Sequence, residues 1–319
     1  MVGERSVSVV ITTRNAARTI GRCLDSLLPY QRRGLITDVV LVDSHSTDST
    51  LAIAGRYQPV VLQEEGSEAY RDSIIRQYHS TYSALDQGWR RAKGDLVMFL
   101  DSDAWVGEGM FPRAAEFFTD PRMAVLGCWQ RGHGSTRVAQ TLSQLWEFHG
   151  NQIRKLQNGT AGLPATAYRF ASWFGSEHLP IGGPCLMVRR ECLELLNGHD
   201  AYGDVGIAAR AVERGWRALW WVGAPVYHAQ RERIRDLWRE RWQWGQTAAF
   251  RPHKGRHYLS VPVALGWSLL VGVLLTIGYR NPLHLVVHPS AAVVQVTAAV
   301  ATSLSRFLRP GTGMRTSCG

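Results

Sequence analysis

The sequence predicts an α/β fold: a mostly parallel central sheet with helices on both faces, followed by a hydrophobic helical hairpin at the C-terminus. Three observations carry that reading. The runs VSVVITT (7–13), DVVLVD (38–43) and LVMFLD (96–101) stay almost wholly apolar until a hydroxyl or carboxylate ends them, as strands buried on both faces do. Segments of helical periodicity separate these runs, so strand and helix alternate along the first hundred residues. Residues 259–305 contain no Asp, Glu or Lys and a single Arg, Arg280.

Taken in order, 7–13 reads as a first strand, with Arg14 and Asn15 in the loop that follows. Ile20, Leu24, Leu27 and Leu28 recur at helical spacing, which predicts a helix over 16–28 that stops before Pro29. A second strand at 38–43 leads through Ser44 into a helix over 49–57, with Thr47 or Asp48 as its N-cap. Residues 59–63 form a third, shorter strand. A helix over 78–93 then delivers the chain to the strand that ends at Asp101. Further on, 123–129 and 218–222 are strand-like and 138–156 is helical.

In open α/β sheets ligands sit at the carboxyl ends of strands, where Asp43, Asp101 and Asp103 stand. Two residues apart on an extended segment, Asp101 and Asp103 point the same way, and their mutual repulsion favours a bound divalent cation. Oxygen ligation suits magnesium, manganese or calcium, and a phosphate partner narrows the choice to Mg2+ or Mn2+. An acidic turn that merely closes a strand is the plain alternative.

The 319 residues suffice for one large domain, or for a domain with an appendage. Thirty-six basic against 26 acidic residues give a net charge of +10 that is spread along the chain, which suits anionic small substrates or anionic lipid. No DNA- or RNA-binding signature accompanies it, so nucleic acid is not an expected partner. The five cysteines (Cys23, Cys128, Cys185, Cys192 and Cys318) are odd in number and form no C-x-x-C pair. This argues against a zinc site or a disulfide framework and for a reducing compartment. No long apolar segment precedes the first strand, so the bulk of the chain is expected in the cytoplasm.

VVITTRN (9–15), VLVDSHSTDST (40–50), Gly88 with AKGD (92–95), and FLDSD (99–103) resemble the successive blocks of glycosyltransferase family 2, in the family's order and at about its spacing. The resemblance implies a GT-A fold over 1–250, with a nucleotide-sugar half (1–106) and an acceptor half (107–250). It implies a nucleoside diphosphate sugar donor, with Asp43 on the base, Thr12, Arg14, Asn15, Ser44, Asp101 and Ser102 around the donor, and Asp103 on the metal. The 43–48 block also resembles glucosyl-3-phosphoglycerate synthases, a related retaining group. Where the family usually has Ala-Arg-Asn, this chain has Ala84, Leu85 and Asp86, so a phosphate-binding arginine is expected from elsewhere.

The second half matches more loosely. LPIGGPCLMVRRE (179–191) resembles the family's Gly-rich acceptor-side segment, in which Gly182 and Gly183 permit close approach to a ligand or simply a turn. NGHD (197–200) resembles a Gly-Gly-Phe-Asp turn. DVGIAARAVERGWR (204–217) resembles the helix whose opening Glu-Asp carries the general base. Asp204 takes that base position, although Gly203 replaces the Glu; Asp200 is the substitute, and a helix N-cap the plain alternative. His228 stands where a family histidine can complete the metal site, or serves as a structural histidine.

Residues 231–244 are expected to be helical, with Glu232–Arg235 and Asp236–Arg239 as opposite-charge pairs. Arg239 or Arg241 is the expected diphosphate contact. Processive family members carry Gln-x-x-Arg-Trp here; Trp238 replaces that Gln, which disfavours polymer synthesis. The C-terminal portion, 251–319, is expected to be membrane-associated. Its stretches 259–279 and 281–305 each approach the roughly 20 residues that span a bilayer. Arg251, Lys254 and Arg256 on one side and Arg306, Arg309 and Arg315 on the other place both ends on the cytoplasmic face. Two buried helices in a soluble subdomain are the alternative.

The resulting expectation is metal-dependent transfer of a sugar from a nucleoside diphosphate donor to a hydroxyl acceptor, inverting the anomeric centre by direct displacement with Asp204 as base; a retaining transfer like that of the glucosyl-3-phosphoglycerate synthases is the alternative. A nucleotidyltransferase would need a Gly-rich basic loop that 12–17 does not supply. A non-catalytic, membrane-tethered sugar-nucleotide-binding subunit is the other rival.

Overall fold

In the computed structural model, residues 5–66, 73–160, 181, 183–196, 203–248 and 257–308 are described, with backbone alone at 73–81, 203–205, 247–248, 257–264 and 306–308. The elements run β1 (Val7–Thr13), α1 (Ile20–Arg32), β2 (Asp38–Asp43), α2 (Thr50–Ala54) with a 3-10 turn (Gly55–Tyr57), β3 (Val60–Gln63), α3 (Ser73–Arg91), β4 (Leu96–Asp101) and β5 (Ala104–Val106). There follow α4 (Met110–Phe117), β6 (Met123–His133), α5 (Arg137–Gln157), β7 (Cys185–Arg189), α6 (Arg190–Leu196), α7 (Gly203–Glu213), β8 (Arg217–Ala229), α8 (Ile234–Ala248), α9 (His257–Tyr279) and α10 (His284–Leu308). Two units emerge. One comprises Met1–Gly134 with Leu142–Gln230, and the other Ser135–Thr141 with Arg231–Gly319. The boundary at Gln230 and the expected domain end at residue 250 differ by α8, which packs with α10.

The first unit holds one eight-stranded sheet in the order β3-β2-β1-β4-β7-β6-β8-β5. The strands β3, β2, β1 and β4 are parallel, as the alternation of strand and helix requires. Beyond β4 the sheet is mixed. The chain enters β7 from Pro184, whose carbonyl accepts the Asp101 N–H at the tip of β4, so β7 must run back antiparallel.

Period-two alternation sorts the buried strand residues between two cores. Val9, Ile11, Leu41 and Met98 pack on one face with Ile20, Leu24 and Leu27 of α1 and Phe111 of α4. Val10, Val40, Val42 and Phe99 pack on the other face with Trp89 of α3, Leu193 of α6 and Ala208 of α7. Each such Val, Ile or Leu contributes about 1.5–3 kcal/mol by leaving water.

Several local expectations change. The first helix runs through Pro29 instead of stopping before it. The ring removes one N–H from the helical ladder, but Leu27 and Tyr30 are buried on either side and the Tyr30 hydroxyl donates to the Gly107 carbonyl. Neither Thr47 nor Asp48 is the N-cap residue of α2, which is Ser49; Asp48 acts from one position earlier, where the Thr50 hydroxyl first and then the Thr50 N–H at 3.0 Å donate to its carboxyl and hold it below the usual range. The strand-like pieces around 218 and 226 form one strand, β8, with a bulge where Gly223 adopts φ 107°.

One polar residue sits inside β1, and its partners explain it. Ser8, fully buried, accepts from the Lys93 N–H at 3.0 Å and the Gly94 N–H at 2.7 Å, and donates to Asp38. At Gly94 a Cβ would lie 2.5 Å from the Ser8 nitrogen and 2.8 Å from the Val7 carbonyl carbon. Backbone meets backbone there, so no larger residue fits. Arg190 closes the same corner, donating to the carbonyls of Gly94 at 2.7 Å and Ala92 at 2.6 Å.

In the second unit, α8 starts at Ile234, so the expected Glu232–Arg235 helical pair does not form. Glu232 instead accepts from the N–H groups of Ser135 at 3.0 Å and Thr136 at 2.9 Å, ahead of α5. Those two donors pull its carboxyl down to about 2. Gly245 of α8 abuts α10, where a Cβ would come within 2.8 Å of the Ala298 methyl. Trp238 of α8 donates to the Ser290 hydroxyl of α10 at 3.0 Å.

Leu269, Leu270, Val273 and Ile277 of α9 and Leu285, Val286, Val293 and Leu304 of α10 are exposed. Among the described residues, His284–Ser305 is long and apolar enough to cross a membrane, and Leu265–Tyr279 is a shorter apolar stretch. The flanking Arg251, Lys254, Arg256, Arg309 and Arg315 lie outside the described residues, as does the side chain of Arg306.

Gly94→Ala is expected to destabilise the first unit by about 1–3 kcal/mol, read as a lowered denaturation midpoint in urea or heat. The carboxyl of Glu232 has a folded value below its unfolded one, so its stabilisation is present above pH 4.5 and fades as pH falls towards 2. Glu232→Gln is therefore expected to lower the melting temperature at neutral pH and to shrink the acid-side loss of stability over that window.

Candidate functional site

The parallel half of the sheet places its polar residues in one row. Thr12 pairs with both Asp101 and Val42, and Thr13 with Asp43, so β1, β2 and β4 all end in hydroxyls or carboxylates at the same edge. Immediately past β4 the chain turns, and Ser102 and Asp103 lie in that turn, not on the extended segment expected from sequence. The turn still brings the two carboxylates together. β5 then pairs antiparallel with β8, setting Ala104 opposite His228. As a result, oxygens of Asp101 and Asp103 and a ring nitrogen of His228 all lie within 4.8 Å of one another.

Two carboxylates and one imidazole, partly open to solvent, fit a hard divalent cation with room left for phosphate oxygens. Backbone bonds hold the cluster. The Asp101 N–H donates to the Pro184 carbonyl at 2.8 Å, and the Ala229 N–H to the Asp103 carbonyl at 2.9 Å. His228 Nε2 lies 3.1 Å from Asp103 Oδ1.

Beneath the cluster, the Cys23 thiol lies 3.7 Å from the Asp101 carbonyl. Burial first, then the nearby charges of Asp103 and Asp101, push its pKa far up. The Cys185 thiol is likewise held protonated, by its hydrogen bond with Cys128 and by burial. These thiols are core residues and offer no thiolate to a metal.

The loops after β1 and β2 are tied to each other. Asp43 is almost fully buried, and it accepts from the Ser46 N–H at 2.9 Å and the Ser46 hydroxyl at 2.5 Å. Asn15, at φ 52°, accepts from the Thr47 N–H at 2.8 Å, and its own N–H donates to the Ser46 hydroxyl at 2.9 Å. Each Asp43 oxygen keeps a further lone pair beyond these bonds. Arg14 is exposed beside this loop, while Ser44 is buried.

The remaining expected residues are distributed as follows. Gly183 adopts φ 116°, which only glycine takes without strain, next to Pro184 and hence to the Asp101 backbone. Gly182 and Asp200 lie outside the described residues, and Asp204 is placed by backbone alone, in the first turn of α7. Arg239 and Arg241 belong to the second unit. There Arg239 is exposed on α8, and the Arg241 guanidinium stacks 4.2 Å over the Trp244 ring.

Two residues beside the cluster had no sequence signal. Gln230 is buried with its amide nitrogen 3.1 Å from His228 Nδ1, and the Trp146 indole N–H donates to Gln230 Oε1 at 3.1 Å. A glutamine two positions after a histidine matches no motif, and the tryptophan reaches it from α5.

A family model described as glycosyl transferase family 2 matches residues 8–192, more than half of the chain. The chain belongs to glycosyl transferase family 2. The site described above lies in the sheet of this glycosyltransferase domain, and its α/β architecture is the GT-A fold that the resemblance implied.

Among relatives, the O-antigen biosynthesis protein RfbC of Myxococcus xanthus is 24% identical over 268 residues, 79% of this chain and 20% of that protein. A glucosyl-3-phosphoglycerate synthase of Mycolicibacterium paratuberculosis is 33% identical over 99 residues, 31% of this chain and 29% of that one. The glycosyltransferase chain thus spans under a third of the length of either relative. Among solved structures, a mannosyltransferase from Pyrobaculum calidifontis in complex with GDP-Man and Mn2+ aligns with a TM-score of 0.49 and 19% identity, covering 95% of this chain and 80% of that one.

Proposed function

We propose that the chain transfers a sugar from a nucleoside diphosphate sugar to a hydroxyl acceptor, with inversion at the anomeric carbon. The observation that supports this most directly is the Asp101–Asp103–His228 cluster at the carboxyl edge of a parallel sheet, beside the braced Asp43 loop. In this reading Asp43 accepts from the base, and Thr12, Arg14, Asn15, Ser44 and Ser102 line the donor. Asp101, Asp103 and His228 hold Mg2+ or Mn2+. Arg239 and Arg241 are assigned to the diphosphate, and Gly182 and Gly183 to the acceptor side.

When bound, the cation supplies Lewis-acid neutralisation of the charge that develops on the departing diphosphate. Asp204 takes the proton from the acceptor hydroxyl as its oxygen bonds to the anomeric carbon. The carbon–oxygen bond to the diphosphate breaks on the opposite face, and the nucleoside diphosphate leaves with that electron pair. Asp200 is the substitute base. The exposed apolar residues of α9 and α10 support association with a membrane through 259–305, and the assignment to its cytoplasmic face rests on the basic residues that flank this stretch in the sequence.

A retaining outcome is the second reading, favoured by the 33% identity to a glucosyl-3-phosphoglycerate synthase over 99 residues. The anomeric configuration of the product, read by NMR, decides between the two.

Asp103→Ala is expected to abolish Mn2+-dependent thermal stabilisation by uridine or guanosine diphosphate; stabilisation that survives removes the metal assignment. Asp204→Asn is expected to retain donor-induced stabilisation while lowering turnover by about 10²–10⁴-fold, measured as nucleoside diphosphate release. A non-catalytic binding subunit would instead show no metal-dependent release with either form.

A further inference from the structure

The row Trp146–Gln230–His228–Asp103 admits one self-consistent arrangement of protons for a neutral imidazole. An indole nitrogen only donates, so the Gln230 atom 3.1 Å from it is Oε1. The other end of the amide, NH2, then faces His228 Nδ1 at 3.1 Å and the His228 carbonyl at 3.3 Å. An amide NH2 also only donates. Nδ1 is therefore the acceptor, the neutral ring carries its proton on Nε2, and Nε2–H donates to Asp103 Oδ1 at 3.1 Å. In that tautomer the nitrogen facing Asp103 has no lone pair to give a cation. Trp146 is itself fixed, since its carbonyl accepts the Trp129 indole N–H at 3.0 Å and the two rings meet edge to face at 5.6 Å.

Resting on the metal-site reading above, we propose that Gln230, oriented by Trp146, is a positioning residue that holds His228 in its non-ligating tautomer and so weakens the site for a bare cation. Ligation through Nε2 requires the proton to sit on Nδ1 instead. The Gln230 amide must then turn over so that Oε1 accepts it, which sets its NH2 against the Trp146 N–H, donor against donor. Cation binding thus sacrifices the Trp146–Gln230 bond and the amide's bond to the His228 carbonyl, and it is favoured when a diphosphate arrives with the ion and supplies further oxygen ligands.

The test uses the full chain, with 15N-histidine NMR on the metal-free protein and calorimetric titration with Mn2+ alone. The wild-type His228 is expected to show the Nε2–H tautomer. Trp146→Phe removes the opposing donor without changing charge. Gln230→Met removes the amide that donates to Nδ1, again without changing charge, and serves as the second variant if the phenylalanine disturbs packing. Each is expected to bind Mn2+ about three- to tenfold more tightly than wild type. The Nδ1–H tautomer in metal-free wild type overturns the proposal, as does unchanged Mn2+ affinity in both variants. If even wild type takes up no Mn2+, the metal reading falls and this coupling falls with it; the NMR result, which needs no metal, separates that failure from a wrong tautomer.

Discussion

A strand buried on both faces has no place for a charge except at its end, and β4 is such a strand. Every residue from Leu96 to Leu100 is apolar and buried, and the first carboxylate, Asp101, marks where the sheet meets solvent. The neighbours β1 and β2 obey the same constraint and end level with it. The polar edge of the sheet is therefore a product of burial as much as of function: hydrophobic cover on two sides leaves the carboxyl ends as the one row where Thr12, Asp43 and Asp101 can stand together.

What turns that row into a candidate metal site is the mixed half of the sheet. β5 is only three residues long, yet its antiparallel pairing with β8 carries His228 back to the turn after β4. Residues 103 and 228 are far apart in sequence and meet because Asp103 immediately precedes that short ladder and His228 pairs with its first residue, Ala104. The same pairing brings Gln230 and, through α5, Trp146 into line behind the histidine. A polar row of this kind is low in alternatives: each donor fixes the next acceptor, so the orientation of one indole propagates to the imidazole nitrogen that faces Asp103.

The second unit follows different physics. In the first, most apolar residues are hidden; in α9 and α10 many are exposed, and Gly245, Gly272 and Ala298 stand at close helix–helix contacts beside buried Val271, Leu275 and Val287. Exposed leucine, valine and isoleucine around close glycine and alanine contacts are the features on which the proposed membrane association rests.

The sequence by itself determined the parallel half of the sheet, the alternation of its helices and the carboxylates at its strand ends, because two-sided burial writes uninterrupted apolar runs that any reader of periodicity can find. It also carried the family blocks that single out Asp43, Asp101 and Asp103. Left to the tertiary structure were the continuation of α1 through Pro29, the bulged course of β8, the role of Glu232 as a cap for a distant turn, and the Gln230–Trp146 support behind His228. Each of these depends on a partner remote in the chain, and local pattern records no information about who that partner will be. A proline is tolerated where the core on either side holds the helix, and a glutamine becomes decisive where an indole meets it; only folding brings those neighbours together.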